Sequence, residues 1–588
     1  MEYPTLYVKQ KSRQMADAFL GYNHNLRIGD SEFYDMKNMT SDYYPVLAPR
    51  KNRGVYKDGV SATGLIAKDS VCYVDGAAFV IGEDRIEMGL SDSPKDLISM
   101  GAYVIIMPDK KYINTVKNDD EDEYEHGDIE ESHETYDDVA FTLCTVTGDE
   151  YDTLGKDSDT APSNPKNGDL WIDTSSEPHT LKKYSTANEM WVSIATTYIK
   201  IVSTDIGKNL KQYDGVKISI TTSEEGLESL NGSHALWGCD DNWIIITGIL
   251  DKVGLMDKED VKITISRQMP IMDFIVESNN RLWGCRYGAN NEGDVVNEIY
   301  ASKQGDFKNW TCFMNLSTDS YSVSCGSDGP FTGAITHLGY PLFFKENCVH
   351  KVYGDYPANF RLQNTACRGV QRGSHKSLAI VNETLYYKSL NAVCAYDGSL
   401  PVEMSTALGE IRYSDAVACA HGNKYYIDMK TADGAYHLFV YDTAKGMWHK
   451  EDNIHVDTFC SFLGEIYAID HPTKHIVTML GSGTQDNENV PWMVETGLVG
   501  MSLPDMKYIS RLLIRMALEV GANVKVSIQY DSMGDWEQVC QMTVTSLRSF
   551  AVPIRPRRCD HFRIRIEGVG SGRIYSITRT IEQGSDVS

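Results

Sequence analysis

His471-Pro472-Thr473-Lys474-His475 sets two imidazoles at a His-x3-His spacing with Cys460 upstream, and these residue types bind zinc. Pro472 and the loop-like composition around it break the regular backbone that such a spacing relies on, so no metal is expected. The chain contains no GxxxxGK[ST] phosphate loop, no HExxH and no GxSxG elbow, which leaves nucleotide hydrolysis, zinc proteolysis and α/β-hydrolase chemistry without local support. Gly568-Val569-Gly570-Ser571-Gly572 opens no helix and reads as a hairpin turn. Glycosidase chemistry uses paired carboxylates that spacing does not locate, and nothing marks one Asp/Glu pair among many. The expectation is a chain with no catalytic residue, no cofactor and no enzymatic activity.

Two constellations point to binding instead. Trp171, Tyr184 and Trp191 lie close together in sequence; they are suited to closing a very small aromatic core or to stacking on the faces of a surface glycan. Arg555, Arg557, Arg558, Arg563 and Arg565 fall in a stretch, Lys507 to Arg579, with twelve Lys/Arg against six Asp/Glu, a local +6 in a chain of net charge −26. Alternation over Phe562 to Glu567 sends Arg563 and Arg565 to the face opposite Ile564 and Ile566. That basic face is either solvated or a docking face for an acidic subunit. The opposite charge is concentrated from Asp119 to Asp138, with twelve Asp/Glu and no Lys/Arg. Like-charge repulsion predicts a solvated, poorly ordered loop there, and the run lacks the alternation and turn glycine of a calcium loop.

The elements that must position these residues are strands. Between Ser266 and Trp492 a polar turn leads repeatedly into an aromatic-rich strand and a second strand: Asn279-Asn280-Arg281-Leu282-Trp283, Gly339-Tyr340-Pro341-Leu342-Phe343, Asn382-Glu383-Thr384-Leu385-Tyr386, Gly422-Asn423-Lys424-Tyr425-Tyr426 and Gly464-Glu465-Ile466-Tyr467. The interval of about 40 to 60 residues is that of a four-stranded propeller blade. Leu282, Leu342, Leu385 and Ile466 are therefore expected at equivalent buried positions. The predicted fold is mainly β: a β-propeller with an inserted small β module and a C-terminal β-sandwich. Residues 1–60 read as an extended N-terminal arm. Residues 61–116 and 198–265 read as one β body, part of the propeller. Residues 117–197 read as the acidic loop and small inserted module, 266–496 as propeller blades, and 497–588 as the sandwich.

Composition bounds the class. The longest apolar run, Trp243 to Leu250, is far short of the roughly 20 residues that a membrane-spanning helix requires. Met1-Glu2-Tyr3-Pro4 lacks a basic region followed by an apolar core, so a soluble protein made without a secretion signal, with no stable membrane insertion, is expected. Thirteen cysteines without a CxxC pair read as small buried hydrophobes of a reducing compartment.

Three separated stretches, Gly29 to Arg50, Gly168 to Thr174 with Thr197 to Ile201, and Arg548 to Gly568 near the closing Glu582 to Asp586, resemble tail structural proteins of phages and prophages of gut-type Gram-positive bacteria. With the propeller pattern, the chain is similar in architecture to the nozzle or hub proteins of short-tailed phages. The resemblance implies a virion protein assembled in the host bacterial cytoplasm: a homo-hexamer or other ring in the tail that touches a portal, adaptor or neighbouring tail protein. Such a ring conducts phage DNA during genome ejection without sequence-specific binding. Negative charge would keep DNA from sticking. The alternative is a host-surface glycan-binding tail adhesin or baseplate component, using Trp171, Tyr184 and Trp191.

Overall fold

In the computed structural model the described residues are 11–118, 122–132, 135–151, 155–222, 227–258, 261–482, 490–543 and 545–584. Met1 to Pro4, Asp119 to Glu121, Glu134, Ser585 and Asp586, named above, lie outside them. The chain is mainly β, and the helical elements among the described residues are 3-10 turns.

Seven four-stranded antiparallel meanders are formed among the described residues, by 62–87, 96–128, 274–324, 333–366, 379–403, 413–450 and 456–478. The seventh borrows its outermost strand: Gly54–Lys57 pairs with Ile476–Thr478. The first strands contact one another in a series, with the 3-10 turn His375–Ser377 bridging from the fourth meander toward the sixth. Asp96–Met100 contacts both Ala62–Ala67 and Phe274–Ser278, Phe274–Ser278 contacts Gly333–His337, and Ala379–Val381 contacts Tyr413–His421. Val456–Phe462 contacts Tyr413–His421 of the sixth meander and Ala62–Ala67 of the first.

The repeated turn–strand pattern is the second strand of the third to seventh meanders, entered through a two-residue turn. Both turn residues take positive φ at Asn279 and Asn280 (52° and 59°), Leu338 and Gly339 (51° and 79°), Asn382 and Glu383 (47° and 68°) and Leu463 and Gly464 (46° and 82°). This twist matches that of the flanking strands, which is why the pair recurs. Leu282, Leu342, Leu385 and Ile466 are all fully buried, but they are not all equivalent. Leu282 packs on Met100 and Ile105 of the second meander, Leu385 on Leu342 and Phe344 of the fourth, and Ile466 on Tyr426 and Leu438 of the sixth. Each of these three faces the preceding meander. Leu342 faces the following one, because its turn is Leu338-Gly339 rather than Gly339-Tyr340. It therefore stands one residue farther along the strand, and one residue reverses the face.

Between the second and third meanders the chain builds a separate two-sheet unit. Tyr198–Val202 pairs with Val139–Cys144 and with Trp243–Thr247, while Gly215–Thr221 pairs with Lys262–Arg267. Phe141, Leu143, Ile199, Ile201, Val216, Ile218, Ile244 and Ile263 share one core. Residues 198–265, expected to continue the body of 61–116, thus belong with the insert, because their partner strand lies inside 117–197. Nor are the described residues 122–132 of the acidic run a free loop. Tyr124–Asp128 is the outermost strand of the second meander and Glu131–Ser132 pairs with Ser266–Arg267. Three of its charges are met locally: Lys110 on Glu130 at 2.6 Å, Lys111 on Asp128 at 3.0 Å and Arg267 on Glu131 at 2.5 Å.

The C-terminal region forms two facing sheets whose core includes Leu512, Ile514, Val524, Val526, Ile564, Ile566 and Ile577. Residues 11–60, the described part of the expected arm, do not lie on this body as an extended segment but enter it. Lys11–Ala16 adds an edge strand to one sheet beside Gly572–Gln583, and Phe33–Lys37 adds one to the other beside Pro491–Thr496. Pro491–Thr496, assigned above to the blades, is a sandwich strand pairing with Phe562–Val569. The thirteen cysteines are free.

Candidate functional site

The small sheet within the insert runs Lys156–Ser158, Leu170–Asp173, Thr180–Ser185 and Met190–Ser193. Alternation sorts its side chains. Leu170, Ile172 and Leu181 enter the core of the two-sheet unit, so Trp171, Lys182, Tyr184 and Trp191 occupy the outer face. Trp171, paired with Lys182, is only 5% exposed. Its indole Nε1 donates to the Ser158 carbonyl at 3.0 Å, and Lys182 lies 4.8 Å over its ring. Trp191 leans edge-on against Trp171 at 5.5 Å and against Tyr184 at 5.3 Å. Tyr184 and Trp191 remain half-exposed. Beside them, Lys182 pairs with Asp173 at 2.6 Å and holds that carboxyl down at about 2. The three aromatics singled out in sequence are thus brought together. Trp171 is the support, and Tyr184 and Trp191 are the accessible rings, next to a fixed donor and acceptor.

A second concavity of about 630 Å³ lies where the first strands of the meanders meet. Ile66, Leu97, Ile275, Ile335, Leu378, Ala418 and Phe459 line it, one from each meander or the turn leading into it. Asp96 of the second meander reaches the turn before the fifth, with His375 Nε2 at 3.8 Å and Lys376 Nζ at 3.7 Å. Burial alone would raise the Asp96 carboxyl, but its contacts with His375 and Lys376 keep it below its ordinary value. Asp273, on the same wall, accepts from Arg286 at 2.7 Å and from the Tyr287 amide at 2.8 Å. No sequence signal marked Asp96, His375 or Lys376, since they converge from meanders about 280 residues apart in the chain.

The C-terminal arginines do not present one basic face. Arg563 and Arg565 both converge on the buried carboxylate of Glu495, at 3.0 and 2.7 Å. Their guanidiniums also lie over the rings of Tyr34 (4.7 Å) and Trp536 (4.1 Å). Their charge is thus used inside the sandwich, and the docking role expected of them is corrected. Arg557 pairs with Glu537 at 2.7 Å, and Arg555, Arg557 and Arg558 are exposed on the loop before Phe562. Neither Cys460 nor His475 joins His471 in the one group of possible metal ligands found among the described residues. Cys460 packs in the apolar core between the first and seventh meanders, and His475 Nε2 accepts from the Gly59 amide at 3.4 Å.

No family model matches the chain, and no curated protein does. Among solved structures it is similar to an exo-β-1,3-galactanase from Phanerochaete chrysosporium at 8% identity and TM-score 0.21, covering 52% of this chain and 94% of that one. A GH43 glycoside hydrolase engineered for endo-xylanase and exo-arabinofuranosidase activity gives 8% identity and TM-score 0.19, covering 54% and 100%. Trypanosoma rangeli sialidase gives 9% identity and TM-score 0.21, covering 92% and 97%. Likeness at this level transfers no residue and no substrate. The three solved chains named are glycoside hydrolases and a sialidase, which runs against the expectation of a chain without enzymatic activity, and that expectation is withdrawn.

Proposed function

We propose that the seven meanders form a seven-bladed β-propeller and that the chain contacts host-surface glycan as a phage tail protein, using the outer face of its inserted sheet. The observation that carries this reading is the pair of half-exposed rings, Tyr184 and Trp191, fixed by the buried Trp171 and flanked by the Lys182–Asp173 pair. An aromatic face offers a flat apolar platform to the C–H face of a sugar, and an adjacent donor and acceptor orient its hydroxyls. The tail assignment rests on the resemblance of Gly29 to Arg50, Gly168 to Thr174 and Arg548 to Gly568.

A second reading, a ring around phage DNA docked on a portal or adaptor, is favoured by the net charge of −26. It is weakened by the use of Arg563 and Arg565 within the subunit. Reconstruction of the particle separates the two, since an adhesin lies at the tail periphery and a conduit on its axis.

The deciding experiment is binding of the full chain to purified cell-wall polysaccharide of Gram-positive bacteria. Trp191→Ala should weaken binding at least tenfold, about 1.4 kcal/mol, while the melting temperature is kept. Equal binding by wild type and Trp191→Ala, or no binding by wild type, would remove the glycan reading. Release of reducing ends in the same assay, lost on Asp96→Asn or Asp273→Asn, would place hydrolysis in the axial concavity.

A further inference from the structure

The seventh meander gathers three metal-ligating side chains that sequence spacing does not pair. Val456–Phe462 and Glu465–Asp470 are antiparallel neighbours with Val456 opposite Asp470. The His471 amide then donates to the His455 carbonyl at 2.9 Å, which extends the ladder by one step. This places the His455 and His471 rings against each other at 3.9 Å with a tilt of 28°. Tyr436 stacks on His455 at 3.5 Å and 15°, so the His455 ring is held between two planes. Asp457 Oδ1 accepts from His471 Nδ1 at 2.6 Å. One ligand atom from each of His455, Asp457 and His471 lies within 4.8 Å of the others.

We propose that His455, Asp457 and His471 form a binding site for a divalent metal ion of the zinc class. Imidazole lone pairs lie in the ring plane, so two stacked, slightly tilted rings present nitrogens along a shared edge instead of pointing them at each other. A carboxylate oxygen already sits on that edge. Tetrahedral zinc takes ligands at about 2.0 to 2.2 Å, so the two rings must rotate out of their stack until their nitrogens converge, and the ion keeps a fourth position for water. Two imidazoles with one carboxylate select zinc, cobalt or nickel over magnesium and calcium, which prefer oxygen ligands. On binding, the metal replaces the proton on His471 Nδ1. That proton moves to Nε2 or, from an imidazolium, is released to solvent.

Lys474 is the local opponent of a cation. Its Nζ lies 2.5 Å from Asp457 Oδ2, the oxygen not shared with His471. The carboxylate thus divides its two oxygens, and Oδ1 is left to ligate while the ammonium holds the group in position, as outer partners of metal ligands commonly do. His471 is exposed, which gives the ion an approach from solvent.

The test is titration of the metal-free full chain with ZnCl2 by calorimetry, and with CoCl2 by visible absorption. Wild type should bind one equivalent of Zn2+, and Co2+ should give the intense d–d bands of a four-coordinate site. His471→Gln, His455→Ala and Asp457→Asn should each weaken Zn2+ binding at least tenfold. His471 is exposed and its glutamine variant should fold normally, which keeps the test decisive if His455→Ala is destabilised. His475→Ala should leave binding unchanged. Absence of saturable Zn2+ binding by wild type, unchanged binding in His471→Gln, or equal loss in His475→Ala would each overturn the assignment.

Discussion

Glu495 holds the charge balance of the sandwich: one carboxylate, 5% exposed, accepts from both Arg563 and Arg565. Glu495→Gln should leave two guanidiniums without their counter-charge and lower stability by about 2 to 4 kcal/mol in urea denaturation. For the same reason Arg563→Glu with Arg565→Glu should damage folding, since three carboxylates would then converge. Asp428 is the opposite case. It is buried, its Oδ2 accepts from the Val456 amide at 3.0 Å, and Oδ1 has no hydrogen-bond partner. Burial raises its carboxyl to about 7. The folded state then keeps a proton that the unfolded chain loses near pH 4, so this contribution to stability is full below about pH 4 and declines as pH rises toward 7. Asp428→Asn should flatten that decline and raise the melting temperature at pH 8 relative to wild type. A melting profile whose slope between pH 4 and 7 is the same in both proteins would contradict it.

Each meander relies on its neighbours to cover its strands. Leu385 sits between the fourth and fifth meanders against Leu342 and Phe344, and Leu385→Asp should cost several kcal/mol by burying an unpaired carboxylate. A lowered melting temperature or insoluble protein is expected. Deletion of 119–138, which composition alone makes look harmless, should destabilise the chain. It removes the strand Tyr124–Asp128 and takes Glu131 from Arg267, which is buried and would keep only Asp214 at 3.1 Å. Limited proteolysis comparing the deletion with wild type would report this as new cleavage in the second meander. The acidic composition was legible as charge. Its strand was not, because pairing with Lys111–Lys117 offsets the repulsion and is a property of the partner.

The N-terminal residues join the two large bodies. Between the sandwich edge strand Phe33–Lys37 and the strand Gly54–Lys57, Arg50 and Arg53 meet Glu451 and Asp452, the two residues after the sixth meander, Arg53 at 3.0 and 2.6 Å. All four are largely buried, and two cations against two anions leave no net charge to solvate. The meander array and the sandwich should therefore unfold in one calorimetric transition. Arg53→Ala, at a cost of about 3 kcal/mol, should split or broaden it. A single sharp transition at unchanged temperature would show that the bodies are coupled elsewhere.

The sequence by itself determined the mainly β class, the recurring turn-and-strand unit and the burial of Leu282, Leu342, Leu385 and Ile466. These follow from turn chemistry and alternation, which act over a few residues. It also brought Trp171, Tyr184 and Trp191 together, because they lie on adjacent strands of one short sheet. Only the tertiary structure decided which strands share a sheet: that 198–265 pairs within the insert, that Gly54–Lys57 completes a meander formed by 456–478, and that Arg563 and Arg565 meet Glu495. It likewise replaced His475 and Cys460 by His455 and Asp457 as companions of His471. Long-range pairing is set by complementary edges and buried charge, and neither is written in local spacing.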